Sequence, residues 1–479
     1  MSQPASGAQT VHLLGICGTA MAALAGALQE MGHRVTGSDA QVYPPMSEQL
    51  AALGIPILEG YRAEHIPADV DLVVVGNVIR ESNPEAEEMR RRGLPFISMA
   101  EAVHRFLIGD REPVVVVGTH GKTTTTALAA QTLHALDADP GMLVGGIARN
   151  FESNYRLGGG GMFVIEGDEY DTAYFDKTPK FFKYHPRVLI FTSLEFDHAD
   201  IYSGLDVIRE HFRKLIRGLP GEGTLIACAD DREVRGLLDA ADCPVVSYGE
   251  SDGADCRLEG WRAEGGEAVF ETVWRERRES WRIPLPGRYN ALNATAVMVM
   301  ANLRGYGSAQ IQRALLGFQG VKRRQELRGE VAGIAVIDDF AHHPTAVGLT
   351  IEAMRHKYPG RRLWAVFEPR SFTARGNRFQ EEFGTVFQEA HRVLLAPAFL
   401  QEYSQGMPRL DTEAVAGAIR SRGGWAVAAD STQDILERLL DETRTGDVVL
   451  IMSNGGFDNL HEQLLTGLEA RGSQARPKH

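Results

Sequence analysis

Three short apolar runs, each ending in a Gly-rich turn or an acidic pair and each followed by helix-patterned sequence, organise this chain: "TVHLLGIC" at 10–17, "PVVVVG" at 113–118 and "IAVIDDF" at 334–340. Continuous apolar runs bounded by turn residues read as buried strands, so each predicts the first strand of an α/β domain. After the first run, "AMAALAGALQEMGH" predicts an Ala-rich helix, "RVTGSD" a second strand and "DLVVVGN" a later one. This is the βαβ rhythm of a doubly wound sheet. The second run is followed by "MFVIEGD", "RVLIFTSLE" and "TLIACAD", and the third by "LWAVFEP", "RVLLAPAF" and "DVVLIMSNGG". Such runs suit parallel strands covered on both faces. One stretch departs from the pattern: "AVFETVWRERRESWRIPL" alternates in polarity, which predicts an antiparallel hairpin and a small extra β layer. The reading is an α/β protein of three domains, at 1–112, 113–325 and 326–479, the first and last Rossmann-like.

Composition narrows this picture. A length of 479 residues suits two or three domains, and 44% hydrophobic with 24% charged residues is ordinary for a globular chain. A net charge of −13 argues against nucleic acid as partner, although the basic cluster "VKRRQELR" can hold a local anion. The four cysteines, Cys17, Cys228, Cys243 and Cys256, are far apart and lack a CxxC pair, so neither a disulfide framework nor a zinc site is indicated. The N-terminus has no signal-like pattern and no apolar run of about 18 residues occurs. A cytoplasmic protein with no membrane partner is expected; oligomeric state is not encoded legibly.

The most informative stretch is "VVVVGTHGKTTTTALAAQTL" at 114–133. A strand, a Gly-rich turn and a helix start place the backbone N–H groups of Gly118, Thr119, His120, Gly121, Lys122, Thr123 and Thr124 toward phosphate oxygens. Lys122 would reach the β and γ phosphates, and the Thr123 hydroxyl a magnesium ion. The central domain therefore reads as a P-loop ATPase, with a loop two residues shorter than GxxxxGK[ST]. Carboxylates follow two neighbouring strands: Glu166, Asp168, Glu169 and Asp171, then Glu195 and Asp197 with His198. Such positions suit a hard cation that bridges phosphates. In the first domain Gly15, Gly18 and Thr19, with Asp39 ending the next strand, resemble a dinucleotide fingerprint but lack its G-x-G spacing. An NAD-dependent oxidoreductase fits poorly, and the intact lysine and acidic clusters disfavour a non-catalytic nucleotide-binding module. "GRYNALNATAV" offers Asn290 and Asn293, "VKRRQE" offers Arg323 and Arg324, and "DDFAHHPT" offers Asp338, Asp339, His342 and His343. In "EPRSFTARGN", Arg370 or Arg375 would meet a substrate carboxylate.

These motifs, in this order, resemble the Mur ligase family of ATP-dependent amide-forming enzymes of bacterial cell-wall synthesis. "GTHGKTTTT", "GRYNALNATA", "RRQE" and "DDFAHHPT" are similar to the family's central and C-terminal motifs, and "GICGTAM" and "NVIRESNPE" to UDP-sugar motifs of the branch that handles UDP-N-acetylmuramate. The resemblance implies ATP and Mg2+ as cofactors. It places Gly118, Lys122 and Thr123 on ATP and magnesium, Glu166 and His198 on a second magnesium, and Arg324 near the phosphates. Asn293, Asp339 and Phe340 would meet the nucleoside, and Gly15, Gly18 and the Asn83–Glu85 turn the UDP-sugar. Within the branch, "EGDEYDTAYFDKTPKFF" and "SNGGF" depart from the members that add L-alanine and resemble those that join UDP-N-acetylmuramate to the recycled tripeptide L-Ala-γ-D-Glu-meso-diaminopimelate. Such chemistry needs a base for the incoming amine, with a pKa near neutrality. His343 is favoured over His198, whose lone pair a metal would occupy.

Overall fold

The computed structural model describes residues 7–42, 46–197, 201–399 and 408–474. The first sheet has five parallel strands in the order Ile57–Glu59, Arg34–Asp39, Thr10–Leu14, Leu72–Val75, Phe96–Ser98. All five residues of Thr10–Leu14 are buried, as a central parallel strand requires. The strand leaves the sheet through Gly15, whose φ of +82° favours glycine. The turn then enters the helix Thr19–Glu30.

The central sheet has ten strands. Its parallel middle runs Val245–Gly249, Thr224–Cys228, Val188–Phe191, Glu112–Val117, Met162–Glu166, Gly141–Ala148. Val114 pairs with both Val164 and Val188, so three neighbouring strands end at one edge. That shared edge brings the turn after Val117, Glu166 and the segment after Phe191 together. The expected antiparallel stretch is present as Cys256–Glu264, Glu267–Trp274 and Arg277–Ile283. It joins the edge of the large sheet through the pairs Tyr248–Cys256 and Gly249–Arg257.

The third sheet has the order Glu326–Val331, Ile334–Asp339, Val448–Met452, Leu363–Phe367, Arg392–Leu395, Ala426–Ala428, parallel except for its first strand. The fully buried run Ile334–Asp339 ends in the two aspartates before the helix Pro344–Lys357. Apolar packing is continuous between the first two sheets: Met99, Val103 and Leu107 share a cluster with Phe163, Phe181 and Phe191. No helix among the described residues is long and apolar enough to cross a membrane.

One buried carboxylate gathers polar groups from several parts of the first domain. Glu85, 0% exposed, accepts hydrogen bonds from Ser38 Oγ at 2.5 Å and Arg62 N at 3.1 Å, and its oxygens lie 3.3 Å from His12 Nε2 and 3.1 Å from His65 Nδ1. Burial opposes its charge, but the His12 and Ser38 hydrogen bonds hold its pKa below the ordinary glutamate value. Glu85→Ala strands these groups around a cavity. It is expected to destabilise the fold by about 3 kcal/mol, read as a lower urea midpoint.

Candidate active site

The turn between Val117 and Lys122 is built for close approach. Gly118 has φ +129°, and a Cβ there would lie 2.3 Å from Thr192 Oγ1 and 2.7 Å from Ser193 O. Only glycine fits. Gly121, φ +82°, is the N-cap of the helix Lys122–Ala135 and gives no side-chain cap, which leaves the helix amides directed at the pocket. Asn293 on the helix Arg288–Leu303 supports the turn from behind: a Cβ on Gly121 would meet its Oδ1 at 2.8 Å.

Lys122 folds back over the turn. Its Nζ donates to Gly118 O at 2.5 Å and lies 3.1 Å from Glu169 Oε2. Burial works against the ammonium, yet Glu169, Glu166 and Asp168 hold its pKa above the ordinary lysine value. Thr123 Oγ1 donates to Glu166 Oε1 at 3.0 Å, and Gly145 N donates to the other oxygen at 2.9 Å. Burial raises the Glu166 pKa, with Lys122 opposing it. Asp168 is paired with Lys180 at 2.7 Å.

The segment leading into the third domain and that domain's first loop close the other wall. Arg324 Nη2 donates to Thr123 Oγ1 at 3.3 Å, and its guanidinium lies over the Phe340 ring at 4.6 Å. Asp339 accepts from Gln325 N at 2.7 Å and Ala341 N at 2.8 Å. Burial raises its pKa, and Arg324 opposes the rise. Thr119–Thr124, Glu166, Arg324, Asp339, Phe340 and His343 thus line one pocket, and Gly118 and Asn293 support it. Tyr289 and Gln325 line it too, although neither was singled out in the motifs that contain them. Gly145 carries no sequence signal, because it acts through its backbone.

Other sequence-selected residues lie elsewhere. Gly15 and Ile16 donate their amides to Ser38 O, Asp39 Oδ2 accepts from Cys17 N at 2.8 Å, and Thr19 begins the following helix. Gly18 is that helix's N-cap, and Asn83 caps Pro84–Arg91 through Oδ1. In the third domain Arg370 lies over Phe399 at 3.9 Å, whereas Arg375 is buried. His198 lies outside the described residues.

His343, the expected base, lies at a helix start. It is the N-cap of Pro344–Lys357, and its Nδ1 accepts from Thr345 N at 3.3 Å. That assigns any proton on the neutral ring to Nε2, which is buried with no hydrogen-bond partner among the described residues. Burial, then the neighbouring His120, push its pKa down to about 4. His342 also lines the pocket: its Nδ1 lies 3.1 Å from Phe340 O and so carries the proton, and its Nε2 lies 3.8 Å from Asp197 Oδ2.

Comparison with known proteins matches three successive family descriptions: "Mur ligase family, catalytic domain" at residues 10–111, "Mur ligase middle domain" at 116–301 and "Mur ligase, glutamate ligase domain" at 323–455. The chain is 38% identical over 476 residues to the UDP-N-acetylmuramate–L-alanyl-γ-D-glutamyl-meso-2,6-diaminoheptandioate ligase of Escherichia coli K12, covering 97% of this chain and all of that one. It is 34% identical to the UDP-N-acetylmuramate–L-alanine ligase of Rhizobium etli, covering 96% and 97%. Among solved structures, a murein peptide ligase from Psychrobacter arcticus superposes with TM-score 0.73 at 35% identity, covering 96% of this chain and 99% of that one. The UDP-N-acetylmuramate–alanine ligase of Thermotoga maritima gives 0.80 at 25% identity, covering 98% and 100%.

The depressed His343 pKa fixes a pH dependence. An unfolded histidine takes up its proton near pH 6.5, and His343 in the fold only near 4, so acid favours unfolding across that window. His343→Asn keeps a capping acceptor and removes the titration. Wild type is expected to lose more stability than this variant as pH falls from 6.5 toward 4, measured by urea denaturation at each pH.

Proposed function

The chain belongs to the Mur ligase family, and from that premise we propose that it is an ATP-dependent amide ligase joining UDP-N-acetylmuramate to the tripeptide L-Ala-γ-D-Glu-meso-diaminopimelate in peptidoglycan recycling. The observation that carries the reading is the single pocket in which the phosphate loop, Glu166 and Arg324 face the Asp339–Phe340 turn of the third domain. The full-length similarity to the E. coli tripeptide ligase supports the choice of acceptor.

A carboxylate does not condense with an amine in water, because its anion is unreactive and hydroxide is a poor leaving group. Transfer of the γ-phosphoryl group of ATP to the lactyl carboxylate gives an acyl phosphate, which the amine attacks with loss of phosphate. In this reading the loop amides hold the ATP phosphates. Lys122, released from Glu169 and Gly118 O, follows the γ-phosphate, and Arg324 neutralises the charge that spreads over the transferring group. Asn293, Asp339 and Phe340 border the nucleoside; Gly15, Gly18, Thr19, Asp39 and Asn83 form the UDP-sugar side. Arg370, which is only partly buried, is assigned to a peptide carboxylate in preference to buried Arg375.

Thr123 and Glu166 suit magnesium: a hydroxyl and a carboxylate meet at 3.0 Å, and the carboxylate is raised in pKa by burial, a cost a hard cation relieves. His198, expected beside Glu166 on a second magnesium, lies outside the described residues. Magnesium, when bound, supplies charge neutralisation between phosphates. We assign removal of the amine proton to His342, with His343 holding the turn that carries it.

The chain is also similar at 34–37% identity to L-alanine ligases, so the assay must separate the two acceptors. With ATP, magnesium and UDP-N-acetylmuramate, phosphate release is expected with the tripeptide, together with a UDP-muramyl-tripeptide mass. Turnover with L-alanine alone would replace the proposed acceptor, and turnover with neither would remove the ligase reading. His342→Asn is expected to lower kcat on the order of 10²-fold, whereas His343→Asn has the smaller effect.

A further inference from the structure

The segment that follows the strand Val188–Phe191 touches two different parts of the molecule. On one side it cradles the phosphate loop. Thr119 N donates to Ser193 O at 2.9 Å, His120 N to Ser193 Oγ at 3.0 Å and Thr192 Oγ1 to His120 O at 2.6 Å. Glu195 N donates to Thr119 Oγ1 at 2.8 Å, and Glu195 Oε2 lies 2.7 Å from His120 Nε2. On the other side, three consecutive residues face the third domain. Glu195 Oε1 accepts from Thr345 Oγ1 at 3.0 Å, the Arg378 guanidinium lies 3.6 Å from the centre of the Phe196 ring, and Asp197 Oδ2 lies 3.8 Å from His342 Nε2. Glu195 Oε2 also lies 3.4 Å from His343 Nδ1, so this one carboxylate reaches the loop through His120 and the third domain through Thr345 and His343.

We propose that Glu195 is a positioning residue that couples seating of the third domain to the geometry of the phosphate loop, through His120 on one oxygen and Thr345 on the other. The inference rests on the ligase reading for the reaction it positions, and on the distances above for the coupling itself. A carboxylate bridging two donors restrains both, and removing either donor loosens the grip on the other. His120, Glu195 and His343 also have the residue types of a metal site, their donor atoms lying within 4.8 Å of one another. The hydrogen-bonded reading is favoured because His120 Nε2 and Thr345 Oγ1 already engage the Glu195 oxygens and Thr345 N engages His343 Nδ1.

The coupling has a chemical use. An acyl phosphate formed before the amine arrives is lost to water. A loop that reaches its nucleotide-holding form only with the third domain seated makes phosphoryl transfer wait for a closed site.

The test uses the full chain and reads nucleotide binding, so it does not require turnover. Affinity for a non-hydrolysable ATP analogue with magnesium is measured by calorimetry for wild type, Thr345→Val, Thr345→Ser, Glu195→Gln and the Thr345→Val/Glu195→Gln pair. Thr345 lies in the third domain, and a purely local role there would leave the nucleotide unaffected. Thr345→Val is expected to weaken binding on the order of tenfold, the loss of one hydrogen bond to a charged group. Thr345→Ser restores it, and the double variant binds no more weakly than Glu195→Gln alone. Wild-type affinity in Thr345→Val, failure of serine to rescue, or multiplication of the two effects overturns the coupling. A thermal melt of Thr345→Val is expected to coincide with wild type; a large drop in Tm that serine does not restore would assign Thr345 a structural role and also overturn it. Coupled nucleotide binding without turnover of either acceptor would remove the ligase reading and leave the coupling standing.

Discussion

A buried ammonium is the constraint around which the central pocket is arranged. Lys122 follows the phosphate loop directly and is out of bulk water, so its charge must be balanced within the fold. Glu169 makes the ion pair, Glu166 and Asp168 add field, and Gly118 O accepts one hydrogen bond. The carboxylates can do this because the strand Met162–Glu166 lies beside Glu112–Val117 and ends at the same edge. A polyphosphate entering the pocket would compete for the lysine with groups already in place, an exchange of partners in a dry environment. Such an exchange requires no solvation of a bare charge at any stage.

The same edge explains why three parts of the sequence meet. Parallel strands direct all their C-terminal loops to one side, and in this sheet the three neighbours carry the lysine, the Glu166 carboxylate and the Glu195 segment. The third sheet faces that edge with the loop after Ile334–Asp339. Arg324, which precedes that sheet, reaches across to Thr123.

Much of this was legible in the chain. Strands with continuous apolar runs, such as Val114–Val117 and Ile334–Ile337, are written by burial on both faces, and period reasoning finds them. The phosphate loop was legible because its glycines answer backbone demands: positive φ at Gly118 and Gly121 and no room for a Cβ. The surroundings of His343 were not legible, for the opposite reason. Its type suggests acid–base chemistry, but its protonation depends on the His120 ring and the burial that tertiary packing brings. Glu85 shows the same limit. It follows Asn83 in a motif that resembles a ligand turn, yet four groups from distant positions converge on it in the interior. Side chains chosen by local pattern are recoverable; partners chosen by folding are not.

The first two sheets meet through a continuous apolar seam, tight enough that a Cβ on Gly26 would strike Tyr155 at 2.8 Å. Between the third sheet and the central one, hydrogen bonds and ion pairs around Glu195, His342 and Arg324 stand beside the Tyr289 ring, which packs against the third domain's core. These two seams differ in how they respond to separation. Pulling an apolar seam apart exposes hydrocarbon with nothing to replace the lost contacts, whereas water can substitute at a polar one. The apolar seam between the first two sheets therefore costs more to open than the polar contacts around Glu195 and His342.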